Sequence, residues 1–307
     1  MKLDELFFFF IMIIVGYLAA RIKLIPKESE KAFPLLLMNI CYPAMIMKTL
    51  SSIPLEEMFR SGLFAVLATL IFTLVIYVVS GLVLGKAPLN RQAQLRLQLG
   101  IGNVVYITIP LLGALFGPEV MFIAIMHSVT QDILIWTLYY PLTLRLSSED
   151  KGNTWVRLFK NPCIIALILA LALRLAGIGL PGPVSYTIGR LSDMVTPAAL
   201  IYLGFLLHKY GLLAWIKDPG AIRYSLVKTL LIPLAVTGIL LFFTDIMTAL
   251  VLGLLFASSA PTVSIVWADG HGGDVPFAIN CFLSSTLMHV VLTLAAGVLL
   301  LKSGVLA

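Results

Sequence analysis

The chain of 307 residues is 60% hydrophobic and only 12% charged, with a mean hydropathy of +1.03 and a formal net charge of +6. A soluble domain carries about 25% charged residues, because its surface has to be solvated. This composition excludes a soluble globular protein, and apolar runs of about 20 residues, each long enough to cross a bilayer, recur along the whole chain.

The apolar runs predict ten transmembrane helices joined by short polar loops. The first run begins with the acidic residues Asp4 and Glu5 and is not followed by a cleavage site of small residues, so we interpret it as a membrane helix and not as a signal peptide. The cysteines lie singly in apolar runs and predict no disulfide or metal framework. The predicted spans cover residues 5–22, 31–50, 61–85, 95–116, 119–146, 161–180, 184–208, 221–243, 245–268 and 275–301.

Basic residues concentrate in alternate loops, and this pattern predicts which side of the membrane each loop faces. Fifteen of the 21 Lys and Arg residues follow the first, third, fifth or seventh span, and by the positive-inside rule this side is cytoplasmic. Both termini are then outside, on the periplasmic side of a cell inner (plasma) membrane. Topology explains the net charge, and we expect no nucleic-acid partner. The fifteen residues are Arg21, Lys23, Lys27, Lys31, Lys86, Arg91, Arg96, Arg145, Lys151, Arg157, Lys160, Lys209, Lys217, Arg223 and Lys228.

Short motifs recur in the two halves of the chain at an offset of about 150 residues. The second span contains Asn39-Ile-Cys-Tyr-Pro-Ala, and the seventh contains Asp193-Met-Val-Thr-Pro-Ala. Pro110 in the fourth span is matched by Pro261 in the ninth. Leu24-Ile-Pro after the first span is matched by Gly179-Leu-Pro after the sixth, and these three matches in the same order predict that the chain is built from two repeats.

Each predicted repeat contains five helices, with the first repeat at residues 1–146 and the second at residues 161–307. A short cytoplasmic linker at residues 147–160 joins them. Because five is an odd number, the second repeat enters the membrane from the opposite side, so the repeats are inverted. Inverted repeats with broken helices are a transporter architecture in which the breaks mark the substrate site.

The fourth and ninth spans are predicted to be broken at their central prolines, Pro110 and Pro261. Proline removes a backbone donor and clashes with the preceding turn. The freed amides and carbonyls are tolerated in a membrane only inside the protein or beside a watered cavity. A half-helix that starts at each proline presents unpaired N–H groups and about half a positive charge. Two such ends would suit the carboxylate of a small organic anion, whereas the alternative is a simple kink in each helix.

Polar side chains inside the spans are candidate binding groups. The amides of Asn103 and Gln131 can both donate to and accept from a ligand, so we assign them to the substrate site. The hydroxyl residues Ser259 and Thr262 flank Pro261 and are assigned to the same site. The alternative role of such groups is hydrogen bonding between helices. The candidate supporting residues, which include any proton site, are Asn39, His127, Asp132, Asp193, Asn280 and Ser284.

Charge near the breaks sets expectations for the substrate. No Lys or Arg is predicted to lie near either break, and no carboxylate cluster is predicted there that would hold sodium or another metal. The substrate is therefore expected to be a monoanion held by backbone amides and neutral side chains, without a cofactor. Moving one charge across 100 mV is worth about 2.3 kcal/mol, which suffices for export without a coupling ion. The acids Asp132 and Asp193 leave proton coupling open.

Residues 103–117, Asn-Val-Val-Tyr-Ile-Thr-Ile-Pro-Leu-Leu-Gly-Ala-Leu-Phe-Gly, resemble the fourth helix of the auxin efflux carrier family, which includes the plant PIN-type carriers. Ser128-Val-Thr-Gln, Asn161-Pro-Cys-Ile and Ala260-Pro are similar to later helices of the same family. The resemblance covers the whole chain. It implies a secondary transporter that moves a small organic anion, a carboxylate that is auxin-like or malate/malonate-like, by alternating access.

The resemblance also implies an internal organisation. Helices one, two, six and seven would form a scaffold, the other helices would form a transport domain, and homodimers would assemble through the scaffold. Carried over to this sequence, the crossover residues are Asn103, Pro110 and Pro261, and Gln131 supports them. The expected partners are thus the anion, the lipid bilayer and a second copy of the chain.

Two other classes of membrane protein stay open at this stage. A channel or a membrane-embedded sensor would have similar spans, and saturation of the flux separates a carrier from a channel. An intramembrane enzyme is disfavoured, because the sequence has neither a Gly-x-Ser-x-Gly elbow nor a His-Glu-x-x-His zinc helix. We therefore expect that the protein is not an enzyme.

Overall fold

The computed structural model describes residues 3–24, 32–52, 58–117, 120–144, 160–211, 214–270 and 273–302. These residues fold into helices and turns, and none of them forms a β-strand. The prediction of an all-helical fold is confirmed for them. The predicted linker at residues 147–160 lies outside the described residues except for its last position.

The helices are numbered here in chain order. Several of them continue into the next through a turn of π-helix, so that two labels belong to one longer helix. The helices are α1 (Leu3–Arg21), α2 (Ala32–Leu36), α3 (Tyr42–Ser52), α4 (Leu63–Val83), α5 (Leu89–Gly100), α6 (Ile109–Phe116), α7 (Met121–Leu134), α8 (Tyr140–Leu144), α9 (Pro162–Leu175), α10 (Gly182–Asp193), α11 (Val195–Tyr210), α12 (Pro219–Leu226), α13 (Ile232–Leu240), α14 (Ile246–Phe256), α15 (Val263–Gly270) and α16 (Val275–Lys302).

Six helical segments in the described part of the chain are long and apolar enough to cross a membrane, so the protein is a multi-pass membrane protein. Shorter apolar helices at Phe10–Arg21, Pro162–Leu175 and Ile246–Phe256 coincide with three further predicted spans. The arrangement of ten spans in two inverted repeats stays a prediction. The six long segments are Arg60–Val83, Leu89–Gly113, Met121–Leu142, Gly182–Tyr210, Pro219–Leu240 and Val275–Gly297.

Helix α4 has the exposure pattern expected of a helix that faces lipid. Its opposite side buries small and hydroxyl residues, among them Ala65, Thr69 and Thr73. An apolar stripe of this length would be unfavourable in water and suits a hydrocarbon environment. The exposed side chains recur every three or four residues and are Leu63, Leu67, Ile71, Val75, Val78 and Leu82.

Four turns of π-helix in the described residues each end two residues before a proline. Proline has no N–H and its ring clashes with the carbonyl four residues earlier, so the wider turn accommodates it without ending the helix. Pro110 follows such a turn and is the second residue of α6. The prediction that the fourth helix breaks at Pro110 is therefore wrong. The turns are Leu37–Cys41, Val104–Thr108, Ile135–Tyr139 and Val227–Leu231, and they precede Pro43, Pro110, Pro141 and Pro233.

The chain packs into two compact units, and each unit draws on three separate stretches of sequence. Neither unit coincides with one predicted repeat, so each one combines helices from both halves of the chain. The first unit contains the described residues of Met1–Phe64, Val105–Val129 and Trp155–Gly211, and the second contains those of Ala65–Val104, Thr130–Thr154 and Leu212–Ala307.

In the first unit, α1 and α11 approach each other closely through two glycines. A β-carbon at Gly16 would collide with the backbone of Ile201, and one at Gly204 would collide with the backbone of Ile13. Small residues of this kind allow membrane helices to pack backbone against backbone, where van der Waals contact replaces the hydrophobic driving force.

An ion pair in the first unit provides the partner of Asp193, which the sequence did not identify. Lys48 Nζ donates to Asp193 Oδ1 at 2.8 Å, and Arg190 Nη1 lies 3.9 Å from Asp193 Oδ2. The side chains of Lys48 and Asp193 are about half exposed, at 49% and 53%. Since the carboxylate is paired and half exposed, its cost in the membrane region is reduced.

In the second unit, polar side chains hold α12 against α16. The hydroxyls of Ser225 and Ser284 lie 2.5 Å apart and are buried. At the start of α12, Asn280 Nδ2 donates to Asp218 Oδ2 at 3.0 Å, while Asp218 Oδ1 accepts from the amide of Gly220 and caps the helix. Asn280 and Ser284, both candidate supporting residues, are therefore engaged in helix packing.

Candidate functional site

The fourth predicted span is broken at residues 101–103. Helix α5 ends at Gly100, Ile101 is extended with φ −108° and ψ 148°, and helical structure resumes at Val104. A β-carbon at Gly102 would collide with the Ser258 side chain, and one at Gly100 would collide with the Tyr139 hydroxyl. The break is thus located where two glycines permit close packing, seven residues before Pro110.

The ninth predicted span is broken at residues 257–262. Helix α14 ends at Phe256, and α15 begins at Val263. Pro261 lies inside this break, as predicted, and its carbonyl accepts from the amide of Ser264 at 3.0 Å in the first turn of α15. The break includes the run Ser258-Ser-Ala-Pro, whose short side chains fit a crowded site.

The two breaks pack against each other within the second unit. The backbone amide of Asn103 donates to the backbone carbonyl of Ser259 at 2.8 Å. A second link joins α5 to the start of α15, because Gln98 Nε2 donates to Ser264 Oγ at 3.0 Å. Ser264 Oγ in turn donates to the carbonyl of Pro261 at 2.7 Å. The structure therefore contains a crossing of two interrupted helices, with backbone of each break bonded to the other.

Side chains from neighbouring helices replace the hydrogen bonds that the breaks remove. Gln131 Oε1 accepts from the amide of Gly102 at 3.0 Å, and Gln131 Nε2 donates to the carbonyl of Gly100 at 3.4 Å. In the second break, the amide of Ala260 donates to Ser285 Oγ at 2.9 Å. Backbone groups in a membrane interior must be satisfied in this way, because no bulk water is present.

Besides the acceptor Gln98 Oε1 on α5, three donor groups at the crossing have no hydrogen-bond partner among the described residues. They are Asn103 Nδ2, Ser258 Oγ and Ser259 Oγ, and their side chains are 4%, 0% and 0% exposed. A buried polar group without a partner costs about 1–3 kcal/mol. Three in one place require a compensating function, such as binding a ligand or ordered water.

The structure brings most of the predicted substrate-site residues together. Asn103, Gln131, Ser259 and Pro261 meet at the crossing, and Thr262 lies in the turn directly after Pro261. They all belong to the second unit.

Other predicted residues are placed elsewhere. Pro110 and the buried His127 belong to the first unit, as do Asn39, which is exposed in a π-helical turn, and Asp193. Asp132 belongs to the second unit, and its buried Oδ2 has no hydrogen-bond partner among the described residues. Within those residues no group of three or more His, Cys, Asp or Glu side chains could hold a metal.

A lysine that sequence reasoning placed in a cytoplasmic loop lies beside the first break. Lys228 is fully buried in the π-helical turn Val227–Leu231, and its Nζ donates to the carbonyl of Leu99 at 2.9 Å. The prediction that no Lys or Arg lies near either break is therefore wrong. The signal was available, because Lys228 falls inside the predicted span 221–243, where a charge is costly and needs a reason.

Tyr224 is a second residue that sequence reasoning missed. It lies one helical turn before Lys228, and its hydroxyl donates to the carbonyl of Gln98 at 2.8 Å. Together the two side chains bind the last carbonyls of α5, which a helix end leaves without partners. Nothing local in the sequence links Tyr224 to Gln98, since 126 residues separate them.

Comparison with known families agrees with this architecture. A family model described as a membrane transport protein matches residues 3–153 and 151–305, so the two matches together span nearly the whole chain. A search of curated proteins finds no significant match. The chain therefore belongs to the family of membrane transport proteins that comprises the auxin efflux carriers.

Proposed function

We propose that this membrane transporter binds a small organic anion at the crossing of its two broken helices and moves it by alternating access. The observation that carries the proposal is the hydrogen-bonded crossing itself. The backbone amide of Asn103 donates to the backbone carbonyl of Ser259 there, beside three buried side-chain donors that have no partner among the described residues. The groups are one amide and two hydroxyls, and each of them can donate to a carboxylate oxygen.

The backbone at the crossing also favours a negative charge. Helix α15 begins directly after the second break, and the amides of a helix N-terminus attract anions. The surrounding site is buried, which strengthens every electrostatic contact made there. A small carboxylate, auxin-like or malate/malonate-like, would supply acceptor oxygens that the unpartnered donors lack.

Binding tests the proposal first. Purified protein should be heated with acetate, malonate, malate and indole-3-acetate in separate samples, and at least one should raise the unfolding temperature. A ligand at one hundred times its Kd stabilises the folded state by about 2.7 kcal/mol. Asn103→Ala should remove this shift, whereas Asn90→Ala, an exposed amide at the start of α5, should keep it. Equal shifts in wild type and Asn103→Ala would move the binding site away from the crossing.

Flux measurements separate a carrier from a channel. In proteoliposomes the uptake of the stabilising carboxylate should saturate with concentration, respond to an imposed membrane potential and persist without sodium. A linear flux without saturation would indicate a channel. A strict requirement for sodium, with electroneutral uptake, would contradict the proposed mechanism.

The orientation is part of the proposal. The described cysteines are buried, so new cysteines can report exposure to an impermeant thiol reagent. Lys160→Cys and Lys217→Cys should be shielded in intact cells, whereas Gly179→Cys, in the exposed turn between α9 and α10, should be labelled. The reverse pattern would invert the topology. We also propose a homodimer, which light scattering of the purified protein would test by its mass.

A further inference from the structure

Lys228 is a buried charge in a helix whose outer face is apolar. The helix segment Pro219–Leu240 is one of the candidate membrane spans. Leu230 and Leu231 are exposed by 36% and 57%, whereas the Lys228 side chain is fully buried. The π-helical turn that contains Lys228 widens the helix at this point, and such turns are frequent at functional sites. The ammonium therefore points into the protein and away from lipid.

The ammonium binds the carbonyl end of a half-helix. Lys228 Nζ donates to Leu99 O at 2.9 Å, and Leu99 is the last residue but one of α5. The C-terminal end of a helix carries about half a negative charge, and a cation is stabilised there. Leu99 lies four residues before Asn103, whose backbone amide donates to the carbonyl of Ser259 in the second break. The positive charge is thus attached to the same half-helix end that forms the crossing.

The neighbouring carbonyl shows that capping alone does not require a charge. The carbonyl of Gln98 is bound by the neutral Tyr224 hydroxyl at 2.8 Å, one residue earlier on α5. Lysine is the more expensive choice in a buried site, because an ammonium without an opposite charge is strongly disfavoured. The use of a lysine, Lys228, to bind the Leu99 carbonyl therefore needs a reason beyond satisfying that carbonyl.

No carboxylate neutralises the lysine within the described part of the chain, where both ion pairs involve Asp193 instead. The ammonium has three donor hydrogens, and one of them is used by Leu99. From α16, the buried His289 is near enough to interact with Lys228 electrostatically, and Tyr224 lies one turn away on the same helix. The described part of the chain therefore offers no negative side chain to balance an ammonium at this position.

We propose that Lys228 is a built-in cation of the crossing. Its ammonium occupies the carbonyl end of α5, and its positive charge makes the crossing select an anion without sodium. This inference rests on the proposed function, since it explains how that site would prefer anions. It replaces the expectation that helix dipoles and neutral side chains act alone.

The proposal predicts opposite effects on stability and on anion binding. Malonate and indole-3-acetate are the probes, and binding is measured by the shift in unfolding temperature and by isothermal titration of the purified protein. Lys228→Met and Lys228→Gln should unfold at a higher temperature than wild type without ligand, because a buried unpaired charge is removed. Their affinity for the probe that wild type binds should fall at least tenfold. Lys228→Arg should retain most of the affinity.

Tyr224→Phe is the matched control. It removes the neutral cap on the adjacent carbonyl, so it should lower the unfolding temperature and reduce anion affinity less than Lys228→Met does. If Lys228→Met behaves like Tyr224→Phe, with lower stability and an equal change in affinity, the lysine is a cap and the proposal is overturned. If Lys228→Met and Lys228→Gln fail to fold while Lys228→Arg folds, the lysine serves folding and the proposal is also overturned.

Chemical rescue gives an independent test. Lys228→Ala leaves space at the carbonyl end of α5, so methylammonium chloride should restore at least part of the anion affinity, and the bulky choline cation should not. Absence of rescue in a folded Lys228→Ala protein would contradict the proposal. If wild type binds neither malonate nor indole-3-acetate, nor any other carboxylate, the proposed function fails. If wild type binds one and all Lys228 variants bind it equally, only the built-in cation fails.

Discussion

The break at residues 101–103 and the break at residues 257–262 both lie in the second unit, yet they are held by different contacts. The first contains no proline; Gln131 binds its backbone, and Tyr224 and Lys228 bind the end of α5 directly before it. The second contains Pro261 and is held largely by serines, including Ser264 three residues later. A break in a membrane helix therefore needs a full set of hydrogen-bond partners, and proline is only one way to create it.

The comparison also explains why proline misleads as a marker. Pro110 follows a π-helical turn and continues the helix, whereas Pro261 lies where the helix has already ended. In the first break the small size of Gly100 and Gly102 allows neighbouring groups to approach the backbone. In the first break, the two glycines and the distant Gln131 side chain interrupt the helix and satisfy its backbone. In the second break, Pro261 and serine hydroxyls such as that of Ser264 do the same.

The largest effect is expected from filling the space between the two breaks. Gly102→Ala places a methyl group against Ser258, whose β-carbon would be only 2.7 Å away. Overpacking of this kind costs about 1–3 kcal/mol, and we expect transport to fall by about tenfold or more. Gly238→Ala, with no atom within 4 Å of the new β-carbon, is the control and should transport normally. Adding Ser258→Gly to Gly102→Ala should restore part of the activity, and no rescue would contradict the steric cause.

The next largest effect is expected from the amide that bridges the first break. Gln131→Leu keeps the size of the side chain and leaves the Gly102 amide without its partner. A buried unsatisfied donor costs about 1–3 kcal/mol, so the unfolding temperature and the transport rate should both fall. Thr137→Val, which removes only a bond to the carbonyl one turn earlier, should have little effect. Wild-type stability in Gln131→Leu would show that water replaces the amide.

The two prolines should differ in their effects. Pro261→Ala frees the chain inside the second break, which costs about 0.4–1 kcal/mol through the unfolded state alone, and transport should fall several-fold. Pro110→Ala acts in a continuous helix and should change transport by less than about twofold. Initial uptake rates at equal protein incorporation measure both. A larger loss of transport in Pro110→Ala than in Pro261→Ala would show that Pro110, and not only the break at residues 101–103, is important for function in the fourth span.

The smallest effect is expected from Asp245, which caps the N-terminal end of α14, the end away from the second break. Partial burial raises the pKa of Asp245, but hydrogen bonds from the Thr248 amide and from neighbouring groups outweigh it and hold that pKa below its usual range. The carboxylate therefore stabilises the fold above about pH 4, the pKa of an unfolded Asp, and this stability is lost as the pH falls through the lower folded pKa. Asp245→Ala should cost about 1 kcal/mol as a lost helix cap.

Asp245→Asn separates the cap from its titration. Asparagine can still accept from the Thr248 amide but cannot take up a proton, so its unfolding temperature should depend less on pH between 3 and 5 than that of wild type. Equal acid sensitivity in both proteins would show that other carboxylates dominate. Transport at pH 7 should be unchanged in either variant, because the cap lies eleven residues before the end of α14.

Local patterns in the sequence were sufficient for the class of the protein and for several residues of the helix crossing. Apolar runs of membrane length and the stretch Asn-x6-Pro-Leu-Leu indicated a membrane transporter of this family, because both are read from adjacent residues. Asn103, Gln131 and Pro261, which the structure brings together at the crossing, were candidates for the same reason, since a polar amide or a proline inside an apolar run is conspicuous. The orientation, the repeats and the substrate class stay predictions.

Only the tertiary structure decided the contacts between residues that are far apart in the chain. The position of the first break depends on Ser258 and Tyr139 beside two glycines, and no local pattern distinguishes these glycines from others. Lys228 looked like a topology signal because its partner, the Leu99 carbonyl, is 129 residues away. A lysine in an apolar run can snorkel to the membrane surface or turn inward to a helix end. Which of these occurs depends on the packing of other helices around it, and that is a property of the fold.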